Sequence, residues 1–190
     1  MTILTPAPKR GRATLDDLHQ VEGKAELING EIVHIMGSGF LHGLIAGNIY
    51  SELRAHALQS GSGVALGDNI VYGVKKLKSN RESFSPDASF YVGKRPENLE
   101  DFISGPPTFA VEIRGKDDHG VYAERKMAEK RADYFEAGTG VVWDVDPTSK
   151  TVTRYCKNAP SAGDVFRIGQ IADAEPALPG WRIPVADVFR

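Results

Sequence analysis

The hydrophobic positions of this chain repeat with two different periods, which predict a mixture of helices and strands. In "FLHGLIAGNIYSELRAHAL" the apolar residues follow helical spacing, and the "SGSG" that comes next is typical of a helix end. A second long helix is predicted over "HGVYAERKMAEKRADYFEAG", which ends at Gly138. A short helix is predicted at "TLDDLHQVE", where Thr14 is suited to cap the first turn.

Short apolar runs rich in β-branched and aromatic residues predict strands, and two pairs of them carry a hairpin signal. Asn29-Gly30 in "AELINGEIVHIM" is a tight-turn dipeptide, and "DPTSK" separates "VVWDVDP" from "TVTRYC". Further strands are predicted in "VALGDNIVYGV", "ASFYV" and "TFAVEIR", and the tail "PALPGWRIPVADVFR" is predicted to be mostly loop with a short terminal turn. This order of elements predicts a mixed α/β fold with a central sheet flanked by helices.

Composition narrows the class of protein. With 190 residues, 41% hydrophobic and 25% charged, the chain is typical of one globular domain, which we predict over 14–190 behind a loose segment at 1–13. Cys156 is the single cysteine, so we expect a reducing compartment such as the cytoplasm. We expect no signal peptide and no membrane span, because no apolar run is long enough. The formal net charge of −2 argues against a non-specific nucleic-acid coat but leaves room for a local basic groove.

Two carboxylates stand out because they lie in apolar strands. Asp87 opens the strand in "SPDASFYV", and Glu112 lies between Val111 and Ile113 in "FAVEIR". If the two strands pair, the carboxylates meet at one end of the sheet and repel each other unless a cation is present. Mg²⁺ suits such a site because it prefers oxygen ligands. The alternative is that each acid meets water at a strand end or pairs with a nearby arginine.

Cationic side chains could complete such a site. Arg114 lies two positions after Glu112, and in a regular strand that spacing puts both side chains on one face. Lys126, Lys130 and Tyr134 share one face of the following helix. A cation there would stabilise charge that develops on a phosphate, whereas the alternative for both lysines is a solvated helix face.

Two more polar residues occupy noteworthy positions. Glu26 lies within the apolar stretch "AELING", where the alternative is a cross-strand pair with a basic residue. His42 opens the first long helix, where the alternative is a packing role or a role at the helix start.

The order of these residues resembles that of the PD-(D/E)XK nuclease superfamily. An acid is followed by a Pro-Asp pair, then by a glutamate in the next strand and by a helix with a lysine. More closely, the chain resembles the Uma-type family of bacterial restriction endonucleases. The matching stretches, besides His42, run in the family's order from about residue 24 to the C terminus: "ELINGEIVHI", "SPDASFYV", "PPTFAVEI", "KRADYFEAGTGVVWDVDP" and "LPGWRIPVADVF". The resemblance implies a restriction-endonuclease-like core, with a mixed sheet flanked by helices.

The resemblance also implies a metal site. Asp87 and Glu112 would hold Mg²⁺ or Mn²⁺, with the backbone carbonyl of Ile113 as a further ligand. Glu26 would orient the attacking water, and His42 would be an auxiliary residue. The substrate implied is DNA, and cleavage of a duplex would favour a homodimer.

In this family the catalytic lysine is supplied by the helix, four residues before a tyrosine, and that position here is Lys130. The chain departs from the family pattern after the glutamate, because it has "EIRGKDD" in place of an apolar residue and Ser-Pro. Arg114 therefore takes the position of the superfamily's usual lysine, where it can hold a phosphate but cannot act as a base. The neighbouring Asp117-Asp118 pair would repel a nucleic-acid backbone.

Three functions remain open at this point. The first is a Mg²⁺-dependent endonuclease acting on DNA, which is favoured by the complete set Glu26, Asp87, Glu112 and Lys130. The second is a non-catalytic nucleic-acid-binding or scaffold protein that kept the nuclease fold. The third is an enzyme acting on another phosphoester or a small molecule, since a fold does not determine a function.

Overall fold

The computed structural model describes residues 12–190, which form four helices and thirteen strands. The helices are α1 (Leu15–His19), α2 (Phe40–Ser60), α3 (Val121–Ala137) and α4 (Val185–Val188). The strands are β1 (Ala25–Ile28), β2 (Glu31–His34), β3 (Val64–Leu66), β4 (Tyr72–Gly73), β5 (Ser83–Phe84), β6 (Ala88–Tyr91), β7 (Ile103–Ser104), β8 (Phe109–Ile113), β9 (Val141–Asp146), β10 (Thr151–Cys156), β11 (Ala159–Arg167), β12 (Ile171–Asp173) and β13 (Arg182–Pro184). Within this part of the chain, no helix is both long enough and apolar enough to cross a membrane.

The central sheet has six strands in the order β11-β10-β9-β8-β6-β3. Strands β8 and β9 run parallel because α3 carries the chain back between them, and the other neighbours in this sheet are antiparallel. Helix α2 packs on one face of the sheet and α3 on the other. The predicted mixed fold, with a central sheet flanked by helices, is therefore confirmed.

Strand β8 is buried on both faces. Its side chains alternate between the two faces, and this alternation decides where the site lies. Phe109, Val111 and Ile113 pack into the apolar cluster that includes α2. Ala110 joins the cluster on the α3 side, and Glu112 faces a lysine of α3. Because helices cover both faces, the carboxylate of Glu112 lies inside the protein rather than in bulk water.

Local sequence signals determine the ends of several elements as predicted. The side chain of Thr14 accepts a hydrogen bond from the amide of Asp17, and the Asp17 side chain accepts one in return. Asn29 and Gly30 have φ angles of 55° and 72°, which a two-residue hairpin turn of this kind requires. Helix α3 ends at Ala137 and is capped by Gly138, where its sequence predicts the end.

One prediction about the strands was wrong, and the tail holds one element that was not predicted. The stretch "VALGDNIVYGV" is not one strand: it divides into β3 of the central sheet and β4 of a separate three-stranded sheet, with a turn at Asn69 where φ is 68°. The tail is mostly loop, with 8 of its 15 residues outside helices and strands, but it also contains β13, which pairs with β12 and leads into α4. The predictions also missed β11, which is exposed along most of its length and so lacks the apolar alternation of a half-buried strand.

The loose segment predicted at 1–13 lies outside the described residues except for Arg12 and Ala13. The amide of Ala13 donates a hydrogen bond to the carbonyl of Gly30, 2.8 Å away. The chain is therefore already tied to the β1–β2 turn at this point.

Candidate active site

Asp87 and Glu112 lie side by side at one end of the central sheet. The antiparallel register pairs Ala88 with Val111, so one residue further along each strand Asp87 lies opposite Glu112. The amide of Asp87 donates to the carbonyl of Val111 at 3.0 Å, which continues the pairing to this position. Opposite residues of antiparallel strands project to the same face, so the two acids that the sequence singled out are neighbours.

Asp87 is buried and surrounded by groups that favour its charged form. Its Oδ2 accepts a hydrogen bond from the amide of Ile113 at 2.8 Å, and its Oδ1 accepts one from Lys24 Nζ at 2.6 Å. The Nε2 of His42 lies 3.2 Å from the same Oδ1, although its N–H is not aligned for a hydrogen bond. Burial opposes ionisation, but His42 and Lys24 outweigh it and hold the pKa of Asp87 well below its usual range.

At Glu112 the surroundings shift the pKa in the opposite direction. Its Oε2 accepts a hydrogen bond from Lys130 Nζ at 2.8 Å, and its Oε1 accepts one from the Tyr134 hydroxyl at 2.6 Å. Burial nevertheless raises the pKa of Glu112, and repulsion from Asp87 and Glu26 adds to this effect against the attraction of Lys130. The surroundings therefore keep Asp87 ionised, whereas burial works against the charged form of Glu112.

Glu26 links Lys130 to a second, deeper cation. Its Oε1 lies 3.1 Å from Lys130 Nζ and also accepts the amide of Ser85 at 3.0 Å. Its Oε2 accepts a hydrogen bond from Arg81, whose Nε donates to Asp133 at 3.0 Å. Burial opposes the charge on Glu26, but Lys130 and Arg81 outweigh it and lower the pKa of Glu26. Both oxygens of Glu26 are thus engaged by the protein.

The two lysines of α3 occupy different environments. Lys130 contacts Glu26 and Glu112, and burial, which would lower its pKa, is outweighed by these two acids, so its pKa is raised and the side chain is a cation. Lys126 is exposed, with its Nζ 5.1 Å from the centre of the Tyr122 ring. Lys130 is therefore the lysine at the carboxylates.

Arg114 lies at the edge of the site but is already bound. Its Nε and Nη2 donate to the two oxygens of Asp144 at 2.7 Å each, and Nη2 also donates to Glu124 at 2.6 Å. Arg131 of α3 contacts the same Asp144. These contacts join β9 to α3, so Arg114 has a structural role here whether or not it also meets a substrate.

Two cations of the site were missed in the sequence. Lys24 directly precedes β1, and Arg81 forms an isolated β-bridge with Ile28 before β5. Neither position has a motif or a periodicity that marks it. Both reach acids more than fifty positions away in the chain. The only signal that could have indicated them is the need of each buried carboxylate for a counter-charge.

The donor set suits a hard divalent cation. Within residues 12–190 no group of three or more His, Cys, Asp or Glu side chains is arranged as a ready metal cage. Mg²⁺ does not need one, because it commonly uses one or two carboxylates and keeps water for its other positions. Burial and the neighbouring acids raise the pKa of Glu112, and a divalent cation beside it would favour its charged form. The buried Ser85 Oγ, next to Glu26, has no hydrogen-bond partner among the described residues and could hold a water.

The sheet order, the helices on both faces and the acidic strand ends define a protein with a nuclease-like fold. The chain belongs to the Uma2 family, described as "Putative restriction endonuclease", whose family model matches residues 14–186. This confirms the resemblance found in the sequence.

Among solved structures, the chain is similar to the crystal structure of "a putative nuclease belonging to DUF820" from Anabaena variabilis ATCC 29413. The TM-score is 0.73 with 19% sequence identity, over 93% of this chain and 97% of that chain. At this identity the similarity shows the fold alone. A search of curated proteins found no match.

Proposed function

We propose that this protein is a metal-dependent nuclease that hydrolyses DNA phosphodiester bonds at the site formed by Asp87, Glu112 and Lys130. Family membership and the nuclease-like fold support a nuclease function in general. The observation that carries the finer proposal is the position of the Lys130 ammonium between Glu26 and Glu112, with Asp87 beside Glu112. Acids and a lysine with perturbed pKa values cluster in this way at catalytic sites, where charge must be controlled during a reaction.

Asp87 and Glu112 would hold Mg²⁺ or Mn²⁺, and the backbone carbonyl of Ile113 would be a further donor. Such an ion supplies Lewis-acid chemistry, since it withdraws charge from a phosphate and makes water a better nucleophile. Asp87 suits this role because its lowered pKa keeps it ionised at neutral pH. The amide of Ile113 orients Asp87 by donating to its Oδ2.

Lys130 would stabilise the transition state. In the hydrolysis the oxygen of water bonds to phosphorus, the bond from phosphorus to the leaving sugar oxygen breaks, and that oxygen takes up a proton. The phosphoryl oxygens gain negative charge on the way, and a fixed ammonium next to them lowers the barrier. Glu26 would position Lys130 for this role. Its Oε1 lies 3.1 Å from Lys130 Nζ, and both Glu26 oxygens are engaged by protein groups.

One observation favours the second candidate, a non-catalytic nucleic-acid-binding or scaffold protein. Asp87 is already paired with Lys24, and Glu112 with Lys130. A protein that had lost its chemistry could retain these pairs as structural contacts. Metal-dependent activity therefore decides between the two functions.

The test is a nicking assay on supercoiled and linear DNA with Mg²⁺, Mn²⁺ or a chelator. We expect slow cleavage by the wild type that depends on the metal, and none by Asp87→Asn, which cannot supply the carboxylate charge. If both proteins, purified in parallel, show equal trace nicking, the activity is contamination and the non-catalytic function is preferred. Gel filtration with and without a duplex tests the expected homodimer.

A further inference from the structure

Lys24 joins Asp87 to an acid that lies outside the site. Its Nζ is 2.6 Å from Asp87 Oδ1 and also 2.6 Å from Oδ1 of Asp68. The Asp87 side chain is 7% exposed, whereas that of Asp68, between β3 and β4, is 45% exposed. The ammonium thus bridges a buried carboxylate and one that solvent can reach.

The two oxygens of Asp87 have different tasks. Oδ2 is bound by the amide of Ile113, which is part of the backbone and cannot leave. Oδ1 is therefore the oxygen left for a cation, and in this structure Lys24 holds it at 2.6 Å, with His42 Nε2 3.2 Å from the same atom. A divalent ion on Asp87 would meet the Lys24 ammonium within a few ångströms, where like charges repel strongly because water is largely excluded.

Lys130, unlike Lys24, has no exposed acid among its two carboxylate partners. Its two acid partners, Glu26 and Glu112, are both inside the site, so leaving one brings it no closer to solvent. Lys24 differs because Asp68 would keep its charge compensated after Asp87 is lost. Within residues 12–190, Lys24 and Lys130 are the lysines that contact the site carboxylates, and of these only Lys24 has an exposed acid as its second partner.

We propose that Lys24 is a displaceable counter-ion of the metal position. It neutralises Asp87 in the metal-free protein and is held by Asp68 alone when a divalent cation binds. Metal affinity is then set by a competition in which Lys24 opposes binding and Asp68 assists it. The inference rests on the proposed function only in taking Asp87 as a metal ligand.

The experiment is a titration of the protein with Mn²⁺ alone, followed by electron paramagnetic resonance of the free ion and by calorimetry, without nucleic acid. Lys24→Met removes the competing charge and should tighten binding by about tenfold, the effect of one modest charge interaction. Asp68→Asn removes the acid that would hold Lys24 after it leaves Asp87, and it should weaken binding by a similar factor. The double variant should behave like Lys24→Met, because Asp68 acts only through Lys24.

The controls separate this inference from the proposed function. Lys75→Met changes an exposed lysine with the same chemistry and should bind Mn²⁺ as the wild type does. Asp68→Asn alters an exposed side chain, so it tests the idea even if Lys24→Met is unstable. Unchanged or weaker binding in a folded Lys24→Met, or unchanged binding in Asp68→Asn, overturns the inference and leaves the proposed function intact. Absence of Mn²⁺ binding in the wild type and in every variant overturns both.

Discussion

Lys130 is a largely buried lysine, 21% exposed, whose ammonium is held by two carboxylates. Its Nζ lies 2.8 Å from Glu112 Oε2 and 3.1 Å from Glu26 Oε1, and the Tyr134 hydroxyl binds the other oxygen of Glu112. Removing one partner of such a buried group leaves the other charges uncompensated, which costs about 3–5 kcal/mol of stability when nothing replaces it. A test of its role in catalysis must therefore keep a hydrogen-bonding side chain at this position.

We predict that Lys130→Gln lowers the single-turnover rate of metal-dependent DNA cleavage by roughly 10² to 10³-fold, as for the loss of one donor that stabilises the transition state. The amide can still bind Glu112 but carries no charge. Mn²⁺ binding should persist, because the acids that would hold the ion remain. The rate is measured per folded molecule, with the folded fraction taken from circular dichroism.

The matched control is Lys126→Gln, one helical turn away on the exposed part of α3. It should cleave at the wild-type rate within about twofold, since surface substitutions far from a reaction centre have small effects. A large loss in Lys126→Gln with none in Lys130→Gln would reverse the assignment of the catalytic lysine.

At the scale of the elements, the connection from α2 to β3 depends on two glycines with similar backbones. Gly61 ends the helix with φ of 66°, and Gly63 follows with φ of 73°. Among the described residues, a Cβ on Gly61 would meet nothing within 4 Å, whereas one on Gly63 would lie 2.5 Å from the carbonyl oxygen of Tyr91. The two positions thus share the strain of a positive φ and differ only in space.

We predict that Gly61→Ala lowers the free energy of unfolding by about 1–2 kcal/mol, the cost of a left-handed backbone with a Cβ. Gly63→Ala should cost about 1–3 kcal/mol more, because the carbonyl of Tyr91 belongs to β6 and must shift away from the new Cβ. Urea denaturation of both variants measures the difference. Equal losses would show that β3 does not pack as closely on β6 as the structure indicates.

At the scale of the whole molecule, the C-terminal segment completes the main core. Trp181 is 3% exposed, and its ring centre lies 5.0 Å from that of Trp143 in the middle of the sheet. Val185 and Val188 of α4 belong to the same apolar cluster as α2. The segment therefore contributes to the stability of the sheet rather than lying over it.

We predict that residues 14–190 unfold in one cooperative transition and that Trp181→Ala lowers the free energy of unfolding by about 3–5 kcal/mol. Tryptophan fluorescence reports the core, and far-ultraviolet circular dichroism reports all helices and strands. The two denaturation curves should coincide, as in a two-state domain. Separate midpoints would contradict the prediction of a single domain.

Much of the architecture was predictable because its signals are local. The helical period of α2, the Asn29-Gly30 turn and the Thr14 cap each act within a few residues, so the sequence alone determines them. Asp87, Glu112 and Lys130 were identifiable because polar residues in apolar strands, and a family pattern along the chain, mark them. Strand β11 carries no such mark, since an exposed edge strand has no buried face.

The tertiary structure decided which charges meet. Lys24 contacts Asp87 across 63 positions of the chain, and Arg81 contacts Glu26 across 55. Arg114 could have pointed at a phosphate, but β9 brings Asp144 to it. These partners depend on strand order and register, which only the folded sheet establishes. A buried charge pairs with the counter-charge that packing places next to it. An unpaired charge away from water costs more free energy than any local conformational preference can offset.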